Sequence, residues 1–186
     1  MSRILKHFRP AVGLFLTGCF ISGDVGAARR VQATGDGASV RVVGGFSNVR
    51  YTAEHAYGYQ LELWRSGGRL VGLFMFTDGP QADFHTGLLE SLTFDSATRR
   101  LSFEAYVSQF RFDGRLDKDA VTGRLVLFHP ESGQQVGAER VRLRRSRQIT
   151  EGMREYASSK EWKQYADGVL KRLGPRRPKT PLLYPN

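Results

Sequence analysis

Between Tyr57 and Phe128 the chain repeats one pattern: short apolar runs with near period-2 alternation, broken by turns rich in Gly, Asp and Ser. Successive side chains of a strand point to opposite faces, so this alternation reads as sheet with one face on a core. Turns at short intervals make that sheet an antiparallel meander. The expected fold class is mainly β: seven or eight antiparallel strands, as a barrel or a sandwich, with a C-terminal amphipathic helix.

Ser39–Val43 opens the β region, and a Gly44-Gly45 break separates it from a short strand at Asn48–Thr52. In Tyr57–Arg65, Tyr57, Tyr59, Leu61 and Leu63 share one face and Gln60, Glu62 and Trp64 the other. Ser66-Gly67-Gly68 suits a hairpin, because glycine accepts the positive φ of tight turns. The partner strand, Arg69–Thr77, carries Leu70, Phe74 and Phe76 on one face and Val71, Leu73 and Met75 on the other. A strand apolar on both faces needs a cover on its second one. After a loop over Asp78–Thr86, Gly87–Asp95 has Leu88, Leu92 and Phe94 in phase. Leu101–Phe110 follows, running through Phe112 toward a turn at Asp113-Gly114. Val121–Phe128 and Val136–Arg145 complete the sheet. In the last strand Val136 and Ala138 fall on one parity, Val141 and Leu143 on the other; either a bulge near Gly137 repairs the phase or the strand starts later.

The period then changes. Trp162, Tyr165, Ala166, Val169, Leu170 and Leu173 form a helical stripe, with Ser159 as N-cap and Gly174-Pro175 as stop. An earlier helical turn or two spans Thr150–Ala157. The expected organisation is a signal peptide over 1–27, a tether over 28–37, a β domain over 38–147, a helical cover over 148–174 and a basic, proline-rich tail over 175–186.

The N-terminus looks like an export signal. Arg3, Lys6 and Arg9 precede an apolar run, Ala11–Ile21, that is too short to span a bilayer. Two cleavage sites compete. Val25-Gly26-Ala27 fits the small-residue rule. Leu16-Thr17-Gly18-Cys19 resembles the lipobox of bacterial lipoproteins, which implies a lipid on Cys19 and a membrane-anchored protein. Cleavage after Ala27 instead gives a soluble periplasmic or extracellular one. Cys19 is the only cysteine, which excludes an intramolecular disulfide and a cysteine-based zinc site.

The formal net charge is +10. Loss of Arg3, Lys6 and Arg9 with the signal leaves about +7, a balance that favours anionic surfaces. The densest cluster is Arg140, Arg142, Arg144, Arg145 and Arg147, the first three outward-facing on the last strand. It reads as contact with an anionic envelope surface, or as a solvated edge that discourages strand pairing. Nucleic acid is not expected, because Val141 and Leu143 offer no stacking rings between the arginines. His55, Asp83 and His85, with Glu54 and Asp78 nearby, are weak candidates for metal ligands, without the spacing of a strong motif. No cofactor is expected: there is neither a G-x-G-x-x-G fingerprint nor a P-loop. Glu62, Glu90 and Glu104 are the strand carboxylates that a small envelope hydrolase would use, provided they share a groove. The meander layout is similar to that of lipocalin-type barrels, although their G-x-W signature has no counterpart here. Tyr59, Phe74, Phe76, Phe94 and Phe103 are large enough to fill such an interior. The reading is thus a noncatalytic binding or structural protein of the cell envelope, partnered by membrane, anionic surface or protein, with the hydrolase as alternative.

Overall fold

The computed structural model describes residues 37–80, 84–106 and 109–174. Nine strands and two helices follow in order: β1 (Val40–Ser47), β2 (Arg50–Tyr51), β3 (His55–Ser66), β4 (Arg69–Pro80), β5 (His85–Asp95), β6 (Arg100–Ala105), β7 (Phe110–Leu116), β8 (Ala120–Phe128), β9 (Gln135–Arg145), α1 (Arg147–Gly152) and α2 (Ser159–Leu173). Strands β3 to β9 form an antiparallel meander, each paired with the next. β1 pairs with both β3 and β9, which closes an eight-stranded barrel; β2 is an extra strand on β3. Of the two architectures open from the sequence, the chain adopts the barrel.

The barrel closes at a glycine notch. β1 runs straight through Gly44 and Gly45, where the sequence suggests a break. Its register against β3 shifts between Val42 and Gly44. Gly44 has φ +154°, and a Cβ there would lie 2.2 Å from the Arg145 guanidinium. That guanidinium donates from Nη1 to the Val43 carbonyl (3.0 Å) and from Nε to the Lys118 carbonyl (2.7 Å), and it lies over the Phe46 ring. A Cβ on Gly45 would meet Ile149 of α1 at 2.2 Å. Thr150 Oγ1 accepts from the Gly45 N–H (3.0 Å). The two glycines thus admit the last residue of β9 and the first helix against β1.

Inside, Phe74, Phe103, Phe110 and Phe112 pack ring against ring with centroid separations of 5.0 to 5.8 Å, Phe103 stacked on Phe112 and the other pairs tilted. Phe46, Leu61, Leu63, Leu101, Val121, Leu125, Val141 and Leu143 complete a buried cluster. Large side chains therefore fill this interior, as the aromatic content leads one to expect. Gly114 on β7 stands opposite Gly123 on β8, and the Phe112 ring occupies the space that a Cβ on either would need. Asp113-Gly114 is accordingly strand rather than the expected turn. The chain instead leaves β6 after Ala105, where Tyr106 has φ +54° and accepts from the Gln109 N–H, and turns again at 117–119. The long Asp78–Thr86 loop is also shorter than expected, because β4 runs to Pro80 and β5 starts at His85.

Outside, α2 covers the second apolar face of β4. Trp162, Ala166 and Val169 pack with Val40, Trp64, Leu73 and Tyr156, flanked by Val42, Val71, Leu88 and Tyr165. Trp64 meets Trp162 edge-on at 5.9 Å and donates its indole N–H to the Arg154 carbonyl. Leu88 belongs to this outer cluster and Leu92 and Phe94 to the inner one, because β5 bulges between Glu90 and Thr93, with Ser91 at φ +48°. The stripe differs at its ends. Ser158, not Ser159, caps α2 by accepting from the Glu161 N–H, while Glu161 accepts from Ala157 N–H in return. The Ser159 hydroxyl lies 2.8 Å from that of Ser66. Leu173 is 41% exposed. The earlier helix, α1, spans Arg147–Gly152 rather than Thr150–Ala157, and Tyr156 is extended, bridged to Val40.

The outer cluster yields a stability prediction. Truncating a buried tryptophan forfeits its transfer free energy and leaves a cavity, so Trp162→Ala should lower unfolding free energy by about 3 kcal/mol. The Trp162 indole N–H is buried without a hydrogen-bond partner among the described residues. Trp162→Phe deletes that donor and should cost clearly less than the alanine variant. Urea denaturation midpoints check both, and an unchanged midpoint for Trp162→Ala would mean that α2 is undocked.

Candidate functional site

The side of the barrel formed by β6 to β9 is an arginine face. Outward positions alternate along each strand, and pairing sets them in rows. Arg140 of β9 stands beside Arg124 of β8, Arg142 beside Thr122, and Arg144 beside Ala120. The Thr122 row continues to Arg115 of β7 and Arg100 of β6. Arg140, Arg142 and Arg144 recur at about 6.8 Å along β9, with strands about 4.8 Å apart. Acids balance part of this face: Asp113 pairs with Arg100 (2.6 Å), Glu104 with Arg111 (2.8 Å) and Asp117 with Arg99 (3.2 Å). Arg115, Arg124, Arg140, Arg142 and Arg144 have no ion pair among the described residues. Like charges side by side across a ladder repel. Arg124 and Arg140 nevertheless occupy such a position.

The five arginines singled out in the sequence divide three ways. Arg140, Arg142 and Arg144 are exposed and outward, as expected. Arg145 differs: its guanidinium is committed to two carbonyls and a ring at the seam, which makes it a structural residue first. Arg147 sits on α1 and pairs with Glu151 at 2.7 Å, with both side chains largely exposed, so that pair contributes little. Between β9 and α1 a groove of about 620 Å³ is lined by Asp119, Arg142, Arg144, Arg145, Arg147, Thr150 and Glu151. Arg115 and Arg124 were not singled out from the sequence. Arg115 followed what the sequence presents as a turn, and the place of both beside Arg142 and Arg140 needed the register.

The metal candidates do not assemble. His55 pairs with Pro80 and stacks on Tyr57, whereas His85 pairs with Phe76 and stacks on its ring. Four residues of β4, about 13 Å, separate the two positions. Asp83 lies outside the described residues. Among those described, no three His, Cys, Asp or Glu side chains are grouped as metal ligands. Cys19, the tether through Asp36 and the tail from Pro175 likewise lie outside the described residues. No helix among those described is long and apolar enough to cross a membrane.

The strand carboxylates also separate. Glu90 stands opposite Glu104 on the outer surface, and Glu104 Oε1 accepts two N–H groups of Arg111 (2.8 and 3.0 Å). Glu62 lies three strands away, across the barrel wall from the core. Burial pushes its carboxyl above the usual range, opposed by the Gln60 amide that donates to it at 2.8 Å. The same environment raises its neighbours: burial, and then the negative charge of the Tyr165 hydroxyl when ionised, take the Tyr156 hydroxyl to about 12, and burial with the Glu62 charge raises Tyr165. With these sites described, the chain matches no known family model, no curated protein and no solved structure.

Glu62 gives a pH prediction. Its folded-state pKa lies above the unfolded one, so the ionised form is penalised by folding, and the penalty applies above the folded pKa. Stability is therefore gained as pH falls through that value. Glu62→Gln keeps an acceptor for Gln60 and removes the penalty. It should raise the denaturation midpoint at pH 8, and the difference from wild type should vanish toward pH 4. A variant less stable at pH 8 would contradict the assignment.

Proposed function

We propose that this chain is an exported protein of the bacterial cell envelope, a noncatalytic β-barrel that docks on an anionic membrane surface through its arginine face. The observation that carries the reading is the contiguous set Arg115, Arg124, Arg140, Arg142 and Arg144, exposed and without ion pairs among the described residues. A stable fold gains nothing from an Arg124–Arg140 neighbour pair, whereas an anionic headgroup layer turns that repulsion into attraction. The basic and apolar N-terminus supports delivery to the envelope. A lipid on Cys19 would supply a second anchoring signal, because one acyl chain alone holds a membrane only marginally. Release after Ala27 would leave the arginine face to act alone. The hydrolase alternative has less support, since Glu104 is tied to Arg111 and Glu62 is remote from it.

The test is cosedimentation of the mature protein with vesicles. Binding to vesicles containing anionic phospholipid, weakening as salt rises, is expected, with little binding to phosphatidylcholine alone. Each arginine near such a surface is worth about 1 kcal/mol, so Arg140→Gln/Arg142→Gln/Arg144→Gln should lower partitioning about a hundredfold. These side chains are exposed, and their loss should leave the fold intact. Equal partitioning of the variant, or equal binding to neutral vesicles, would refute the reading.

A further inference from the structure

One stretch of the barrel wall lacks its ladder. The Arg145 N–H donates to the Asp119 carbonyl on the β8 side (2.8 Å), and the Ser146 N–H donates to the Gly45 carbonyl of β1 (2.9 Å). In an antiparallel strand, alternate residues direct both backbone groups to the same side. Odd-numbered residues of β9 therefore bond β8. Arg144, Arg142, Arg140 and Ala138 direct theirs toward β1. Arg144 meets Ser47, and there the β1–β9 pairing ends. Arg142, Arg140 and Ala138 have no strand partner on that side among the described residues.

The facing edge is open as well. β1 and β2 follow β3 in one register, with Ser47 opposite Gln60, Arg50 opposite Tyr57 and Tyr51 opposite Ala56. The Asn48 N–H donates to the Tyr59 carbonyl (3.1 Å), so even-numbered residues here bond β3, and Val49 and Tyr51 direct their groups toward β9. The β1–β9 register, continued, would set Val49 against Arg142 and Tyr51 against Arg140. Neither pair forms. Ser47 Oγ instead accepts the Val49 N–H at 3.0 Å, in place of a strand carbonyl.

An unpaired strand edge is a template for another strand, and its flanking side chains select which one. On the outside these are Arg140, Arg142 and Arg144, none ion-paired among the described residues. At the alternate positions, on the barrel's exposed rim, stand Tyr59 and Glu139, whose carboxylate accepts from the Tyr59 hydroxyl. We propose that the β9 edge from Ala138 to Arg142 is an acceptor for an extended peptide of a partner protein, with acidic residues at its outward, alternate positions and apolar ones inward. A second copy of the same edge would set arginine against arginine. The chain's own C-terminal segment, with Arg176, Arg177 and Lys179, has the wrong sign. The inference rests on backbone pairing; it shares Arg140, Arg142 and Arg144 with the lipid-docking face, but its test reads peptide amides and uses no lipid.

The test uses the mature protein and a fluorescent, end-capped octapeptide of alternating Glu and Val, read by anisotropy. Two further versions carry N-methyl groups on all Glu or on all Val amides. Strand addition uses the amides of one set only, so one N-methylated version should bind at least tenfold more weakly and the other like the parent. Ala138→Pro removes one edge donor, changes no charge, and should weaken the parent peptide while leaving an all-Glu octapeptide unaffected. Should that variant fail to fold, the N-methylated pair still decides. No binding of the parent, equal binding of all three versions, or an all-Glu peptide bound as tightly as the parent would overturn the proposal.

Discussion

Closure of this barrel depends on one guanidinium. Arg145 ends β9, reaches across the seam to the Val43 carbonyl, bonds the Lys118 carbonyl behind it and lies over Phe46. Hydrogen bonds from a charged group contribute about 1.5–3 kcal/mol each, more than their neutral counterparts. The space for the guanidinium exists only because residue 44 is glycine, and α1 closes in only because residue 45 is glycine. Two backbone pairs, Phe46 with Arg145 and Ser47 with Arg144, complete the joint. Without them the meander would be an open sheet with two long edges, a standing invitation to aggregate.

From that seam the molecule divides into unlike sides. On β3, β4 and β5 the outer patch of Trp64, Val71, Leu73 and Leu88 is apolar and α2 covers it, with Trp64 and Trp162 at the centre. On β6 to β9 the outer face is arginine-rich, and no described helix covers it. The interior of packed phenylalanines serves both sides equally. A barrel filled this way offers its chemistry on the outside, which is why surface charge and strand edge, rather than a lumen, carry the functional argument.

Much of this was legible in the sequence. Alternation identified β3, β4, β6 and β8, and in β3 and β4 it assigned the two faces correctly, since both strands obey period 2 without interruption. The need for a cover over Val71 and Leu73 and the stripe from Trp162 to Val169 implied each other. What stayed hidden depended on partners distant in sequence. Gly44-Gly45 looks like a break until Arg145 and Ile149 are seen to fill it. Asp113-Gly114 looks like a turn until Gly123 is placed opposite and Phe112 above. The Ser91 bulge reverses the phase of β5 with a residue that carries no bulge signature. For the candidate site, the outward direction of Arg140, Arg142 and Arg144 was readable from parity. The commitment of Arg145 was not, because the same local alternation produces a surface arginine and a seam lock.

The central claim is that the β1–β9 seam is laddered only where Arg145 locks it and, among the described residues, is open beyond Arg144. Amide hydrogen exchange followed by NMR tests this residue by residue. Along β9 the amides of Leu143, Val141 and Glu139, which bond β8, should be protected, as should those of Arg144 and Ser146 at the lock. The amides of Arg142, Arg140 and Ala138 should exchange orders of magnitude faster. Uniform protection from Ala138 to Arg145 would mean that the seam is paired along its length, and would contradict the account.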